Sequence, residues 1–156
     1  MHAESYESVE QLNDLLDKSD EPVTTLANAS AFLYALLNDA NWVGFYLLRG
    51  EELYLGPFQG KPACTRIQVG KGVCGTAVAE AKTQRVDDVH AFPGHIACDS
   101  ASNSELVVLL RDENGAIVGL LDIDSPDFSR FTERDAAEME RAAKIVSQSI
   151  DWTRLR

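Results

Sequence analysis

Residues 105–124 read ELVVLLRDENGAIVGLLDID, and the organisation of the chain follows from them. Two aliphatic, β-branched runs at 106–110 and 116–123 suit a pleated surface and flank Asp112-Glu113-Asn114-Gly115. Asn-Gly is the preferred pair of a two-residue type I′ turn, so the stretch predicts an antiparallel hairpin with Glu113 facing Ala116. Counting outward, Glu105 then faces Asp124 and Val107 faces Asp122. Side chains alternate along a strand, so Glu105, Asp122 and Asp124 fall on one face at one end of the hairpin. Like charges placed opposite each other are destabilising, and three acids there call for a cationic ligand or a shared proton. The competing reading is a solvated strand face.

Downstream, Thr132 and Asp135 form a capping-box pattern ahead of a helix with Met139, Ala142, Ala143, Val146 and Ile150 at apolar spacing. Upstream, Ser8 and Gln11 cap a short helix carrying Val9, Leu12, Leu15 and Leu16. Asp20 and Pro22 open a second, with Val23, Leu26, Ala29, Leu33, Leu36 and Leu37 on its apolar side until Asn38-Asp39. Residues 42–48 and 53–55, separated by Arg49-Gly50-Glu51-Glu52, predict a further hairpin. A short strand follows at 66–69, then a small helix over about 73–81. Residues 88–104 form a long irregular stretch, and loops of that length are usually functional. Hairpins in the middle with helices at both ends make an α+β fold, with an antiparallel sheet packed by helices.

The 156 residues, 45% of them hydrophobic, suit one globular domain over 1–156 able to fold without staples. A net charge of −11 makes nucleic acid and anionic membrane poor partners, because both require positive surface. The start of the chain lacks a basic, apolar leader and no stretch reaches about 18 consecutive apolar residues. The expected compartment is the cytoplasm. Three cysteines, an odd number, then read as reduced thiols rather than a disulfide framework.

Cys98 lies in Gly94-His95-Ile96-Ala97-Cys98-Asp99-Ser100, close ahead of Glu105. A polar irregular loop favours a reactive thiol over a buried small hydrophobe, and Cys98 is the candidate nucleophile. Cys64 sits in a second loop and Cys74 at the start of the small helix; either could meet Cys98 in space. A redox pair needs an attacking and a resolving thiol, leaving one spare, and Cys74 has the most structural surroundings. On the first hairpin Trp42, Gly44 and Tyr46 share a face, two aromatics around a gap that suits a small apolar group, or an ordinary aromatic core. Gly70-Lys71-Gly72-Val73-Cys74-Gly75 fits G-x-G-x-x-G but lacks the following strand and acid, and reads as a turn into a helix. His90 and His95 have no metal-site spacing with the cysteines, so no metal or other cofactor is expected.

The segments Asn41-Trp42-Val43-Gly44-Phe45-Tyr46, Leu55-Gly56-Pro57-Phe58-Gln59-Gly60, Gly72-Val73-Cys74-Gly75-Thr76-Ala77, Gly94-His95-Ile96-Ala97-Cys98-Asp99 and Leu121-Asp122-Ile123-Asp124-Ser125 together resemble the free methionine-R-sulfoxide reductases, which are GAF-domain enzymes. The resemblance implies a GAF-like, six-stranded antiparallel sheet flanked by helices on both sides. It implies reduction of free (R)-methionine sulfoxide to methionine, with thioredoxin as reductant. On matching positions Cys98 is similar to the catalytic cysteine, Cys64 to the resolving one and Cys74 to an auxiliary one. Trp42, Tyr46, Glu105, Asp122 and Asp124 are similar to the substrate-binding residues. The expected chemistry is a sulfenic acid on Cys98 that condenses with Cys64, while an acid of the cluster protonates the sulfoxide oxygen. The rival readings are a non-catalytic small-molecule sensor and a thiol-based redox sensor. The assembly, a homodimer included, is left open.

Overall fold

The structure is a computed structural model and describes residues 6–94 and 101–155. Six strands form one antiparallel sheet: β1 (Trp42–Arg49), β2 (Glu52–Gln59), β3 (Arg66–Gln68), β4 (Gln84–Val86), β5 (Ser104–Arg111) and β6 (Ile117–Ser125). Their order across the sheet is β3-β2-β1-β6-β5-β4, so the two hairpins meet in the centre through β1 and β6. Four helices accompany them: α1 (Leu12–Leu15), α2 (Pro22–Leu36), α3 (Gly72–Glu80) and α4 (Glu133–Gln148). None of the helices in the described residues is long and apolar enough to cross a membrane.

The two faces of the sheet bury different cores. Val43 and Phe45 of β1, Leu106, Val108 and Leu110 of β5, and Leu121 and Ile123 of β6 point at α2 and α4, where they meet Leu26, Ala29, Leu33, Met139, Ala142 and Val146. The other face carries Trp42, Tyr46, Val107 and Leu120 against Val73, Cys74 and Ala77 of α3. Period two on the strands and period 3.6 on the helices account for the division.

Both expected capping boxes are present. Thr132 Oγ1 accepts from the Asp135 amide at 3.1 Å while Asp135 Oδ2 accepts from the Thr132 amide at 2.9 Å. Ser8 and Gln11 form the second box, around a 3-10 turn (Val9–Gln11) that leads into α1. Val23, placed by periodicity on the buried side of α2, is exposed, as is Leu15. The edge strand β4 was not legible: three residues of mixed polarity give no alternating pattern. β2 runs beyond 53–55 to Gln59, across a bulge opposite Phe45 where Pro57 needs no ladder partner.

The central hairpin has the expected register by an unexpected route. Type I′ needs positive φ at both central residues, yet only Gly115 of this turn has it, at 81°. The Asp112 carbonyl instead accepts from Gly115 N, and Asp112 N donates to Ala116 O, each at 3.0 Å. This is a three-residue loop with Gly in the left-handed position, tightened by the Asp112 carboxylate, which accepts from the amides of Asn114 and Ala116. Arg111 therefore faces Ile117, and a bulge before Leu110 opposite Gly119 inserts Val118 as an extra residue on β6. The extra residue offsets the longer loop. Glu105 lies opposite Asp124 and Val107 opposite Asp122.

Gly44 faces Phe58 across β1 and β2. A Cβ there would press on the Phe58 Cβ, 2.9 Å from its Cα and 2.7 Å from the Trp42 ring. Gly44→Ala is expected to cost about 1–3 kcal/mol by overpacking, read as a lower denaturant midpoint with unchanged slope.

Candidate active site

Antiparallel pairing builds the site from three strands. Trp42 lies opposite Asp124 and Gly44 opposite Asp122 across β1 and β6, while Glu105 lies opposite Asp124 across β5 and β6. All of them share the face covered by α3. The three acids sit together as the hairpin register requires, but not on a solvated face. Glu105 is 8% exposed and Asp122 6%, and only Asp124 is half-buried. Neither Glu105 nor Asp122 forms an ion pair among the described residues, and Asp122 Oδ1 is buried without a hydrogen-bond partner.

Cys74 closes the cluster from above. Its thiol points at Glu105 Oε2 from 3.8 Å, and donor atoms of Cys74, Glu105 and Asp122 all lie within 4.8 Å of one another. The helical turn that carries it is made by the glycine motif. Gly70 N donates to Gly75 O at 2.9 Å, and a Cβ on Gly75 would strike the Gln68 carbonyl at 2.5 Å. The G-x-G-x-x-G spacing thus serves a close backbone turn into α3, and its last Gly lets that turn pack.

Charge crowding orders the titrations. Burial holds Glu105 well above the ordinary carboxylate range, and the negative charges of Asp122 and Asp124 raise it further. Asp122 is raised by burial as well, though the Glu105 and Cys74 side chains beside it pull the other way. Glu105 is therefore the carboxyl that keeps its proton. Burial, then Asp122, Glu105 and Asp124, push the Cys74 thiol up. Its place in the first turn of α3 favours thiolate by only about 0.3–1 kcal/mol, less than the opposing effect of full burial among acids. Burial wins, and Cys74 is a protonated thiol unsuited to attack.

Trp42 and Tyr46 do more than frame a gap. Phe58 stacks on Trp42 at 5.1 Å and fills the space beside Gly44, so the expected hollow at Gly44 is occupied by protein. Phe58 was not read from the sequence, because the strand was cut short at residue 55. The polar edges of the two aromatics reach a loop instead: Trp42 Nε1 donates to Lys61 O at 3.0 Å and Tyr46 OH to Cys64 O at 2.9 Å. They tie the 61–64 segment, and with it Cys64, to the centre of the sheet. Cys64 is half-buried and disulfide-bonded, while Cys74 is free. Cys98 and His95 themselves lie outside the described residues. His90 is set apart, its Nε2 2.9 Å from Asn103 Oδ1. A groove of about 1100 Å³ at the opposite end of β5, lined by Lys18, Arg111, Glu140 and Lys144 among others, contains none of these groups.

An antiparallel sheet of this order, with helices on both faces and a buried cluster under the shorter one, defines a GAF domain, and the GAF-domain family model matches residues 21–150. The chain is 59% identical over 123 residues to the free methionine-R-sulfoxide reductase of Escherichia coli (strain K12), covering 79% of this chain and 74% of that one. A structure of the Neisseria meningitidis free methionine-R-sulfoxide reductase in complex with its substrate superposes with a TM-score of 0.85 at 41% identity, covering 96% and 95% of the two chains. The reduced form of the Staphylococcus aureus fRMsr gives 0.86 at 49% identity, covering 90% and 91%. The chain belongs to the free methionine-R-sulfoxide reductase family of GAF-domain enzymes.

The raised carboxyl makes stability depend on pH in a defined sense. A carboxyl raised in the fold binds more protons there than in the unfolded chain, so its contribution falls as pH climbs from the ordinary Glu value of 4.5 towards the raised one. Glu105→Gln, which removes the titrating carboxyl, is expected to stabilise the ligand-free protein at pH 7 more than at pH 5. Urea denaturation of both proteins at the two pH values measures the difference.

Proposed function

We propose that the chain, as one catalytic domain over 1–156, reduces free L-methionine (R)-S-oxide to L-methionine. The observation that carries this reading is the buried pair Glu105 and Asp122, with no ion-pair partner among the described residues, beside a half-buried Asp124. An acid cluster in which Glu105 holds a proton and Asp122 and Asp124 carry the negative charge is complementary to an ammonium group, which a free amino acid has and a methionine inside a peptide lacks. The adjoining Trp42 and Tyr46 supply aromatic surface for a thioether chain, as expected of an amino-acid pocket. The relatives' activity is in line with this.

In the proposed reaction the Cys98 thiolate attacks the sulfoxide sulfur as Glu105 passes its proton to the oxygen. The hydroxyl so formed passes from the substrate sulfur to Cys98 Sγ: the substrate S–O bond and the transient sulfur–sulfur bond break, an S–O bond forms on Cys98, and methionine leaves with the two electrons that Cys98 loses in becoming a sulfenic acid. Cys64 then attacks the sulfenic sulfur, water departs, and a disulfide is left for a dithiol such as thioredoxin to reduce. The tie between Tyr46 and the Cys64 carbonyl supports this order of events, because a resolving cysteine must be held within reach of the oxidised one. Asp122 and Asp124 receive the substrate ammonium. Such chemistry belongs to a reducing compartment, the cytoplasm.

The test is incubation with racemic free methionine sulfoxide, thioredoxin, its reductase and reduced nicotinamide cofactor. Consumption of about half of the sulfoxide, the R half, is expected; no consumption would favour a sensor. Cys98→Ser should abolish turnover, whereas Cys64→Ser should release about one methionine per chain and stall. Multiple turnover by Cys98→Ser refutes the assignment. Asp124→Asn should raise KM about tenfold, the equivalent of about 1.4 kcal/mol of binding, without unfolding the chain.

A further inference from the structure

The donor set formed by Cys74, Glu105 and Asp122 has a second chemistry. Three ligand atoms, one sulfur and two oxygens, lie within 4.8 Å of one another on three separate elements, α3, β5 and β6, and all three residues are buried. A tetrahedral zinc-type ion, with metal–sulfur bonds of about 2.3 Å and metal–oxygen bonds of about 2.0–2.2 Å, sets its donors roughly 3.3–3.7 Å apart. The Cys74 Sγ to Glu105 Oε2 distance of 3.8 Å is already close to that. Asp122 adds an independent sign, since its Oδ1 is buried without a partner although the residue is only 6% exposed. A buried acceptor in that condition is normally satisfied by an ion, a water or a ligand.

We propose that Cys74, Glu105 and Asp122 form a binding site for a thiophilic divalent cation, of the zinc or cadmium type, whose occupation excludes the substrate ammonium and shuts the enzyme off. Binding forms a metal–sulfur bond at Cys74 and a metal–oxygen bond at Glu105, displacing the thiol proton and the Glu105 carboxyl proton to solvent, with no change of oxidation state. Two carboxylates and one thiolate supply three of four tetrahedral positions, and water supplies the last. Zinc-type ions prefer this mixed sulfur and oxygen set to the all-oxygen shells that suit magnesium or calcium. The metal acts as an inhibitor, with no role in turnover. Only the effect on turnover rests on the proposed reductase function; the binding does not.

The test uses a Cys64→Ser, Cys98→Ser protein, in which Cys74 is the one remaining thiol. Titration with cadmium chloride at neutral pH is expected to give a saturable ultraviolet thiolate-to-cadmium band, one ion per chain, with release of two protons, from Cys74 and Glu105. Asp122→Asn and Glu105→Gln, each added to that background, should weaken the band's apparent affinity roughly tenfold or more, since even residues that only support a ligand are worth that much. Absence of the band, or a band whose affinity neither carboxyl variant changes, overturns the proposal. In the unsubstituted enzyme zinc should raise the apparent KM for methionine sulfoxide, relieved by a chelator. A cadmium band in that background, together with no sulfoxide turnover by the unsubstituted enzyme, leaves the metal site standing and removes the reductase reading. Turnover without a band does the reverse.

Discussion

The arrangement depends on two carboxyl groups held out of water with no positive partner among the described residues. Burying charge in this way is unfavourable unless the group is protonated, paired or bound, and the protein pays for it with the large apolar surface on both faces of its sheet. On the α2 and α4 face the strands present an uninterrupted aliphatic layer, with Phe45, Leu106, Leu121 and Ile123 fully buried. The α3 face can then accommodate polar groups in the middle of an otherwise apolar cluster. Conflict between local preference and global structure, where it survives in a folded chain, is expected at functional positions.

Rigid elements hold the acids at fixed separation. Glu105 and Asp122 come from adjacent central strands, and Cys74 is brought down on them by a helix whose entrance is locked by close backbone contacts at Gly70 and Gly75. The aromatic pair Trp42 and Tyr46 links this rigid base to the loop that carries Cys64. Chemistry that requires a sulfur to form successive bonds benefits from such an anchor, because misplacing a reacting group by an ångström is costly. One face of β1 therefore serves both the core and the placement of a cysteine.

Much of this was legible because two kinds of pattern are strong in the chain. Capping boxes at Ser8 and Thr132 fix helix starts through specific hydrogen bonds, and the alternation in 105–124 fixes which side chains share a face. The burial of Glu105 and Asp122 was not legible: it comes from α3 packing across the sheet, and a strand's own residues do not say what covers them. β4 is short and polar and draws its stability from pairing with β5. Phe58 was missed because Gly56-Pro57 reads as a strand stop, whereas the chain passes through it as a bulge. The turn was mistaken in kind, since Asn114 keeps a negative φ and Gly115 alone takes the left-handed conformation.

That turn limits how the hairpin can change length. A loop with one residue too many for simple pairing and a strand with one extra residue at Val118 offset each other over a few positions. Deleting either alone would slip one strand by a single step relative to its neighbour, and a one-step slip exchanges the two faces. Leu121 and Ile123 would then be driven under α3 and Asp122 and Asp124 into the aliphatic layer. Length changes at this hairpin tip are tolerable only as matched pairs, so in variants of this fold a gain or loss at the loop should be accompanied by the loss or gain of the kink in β6.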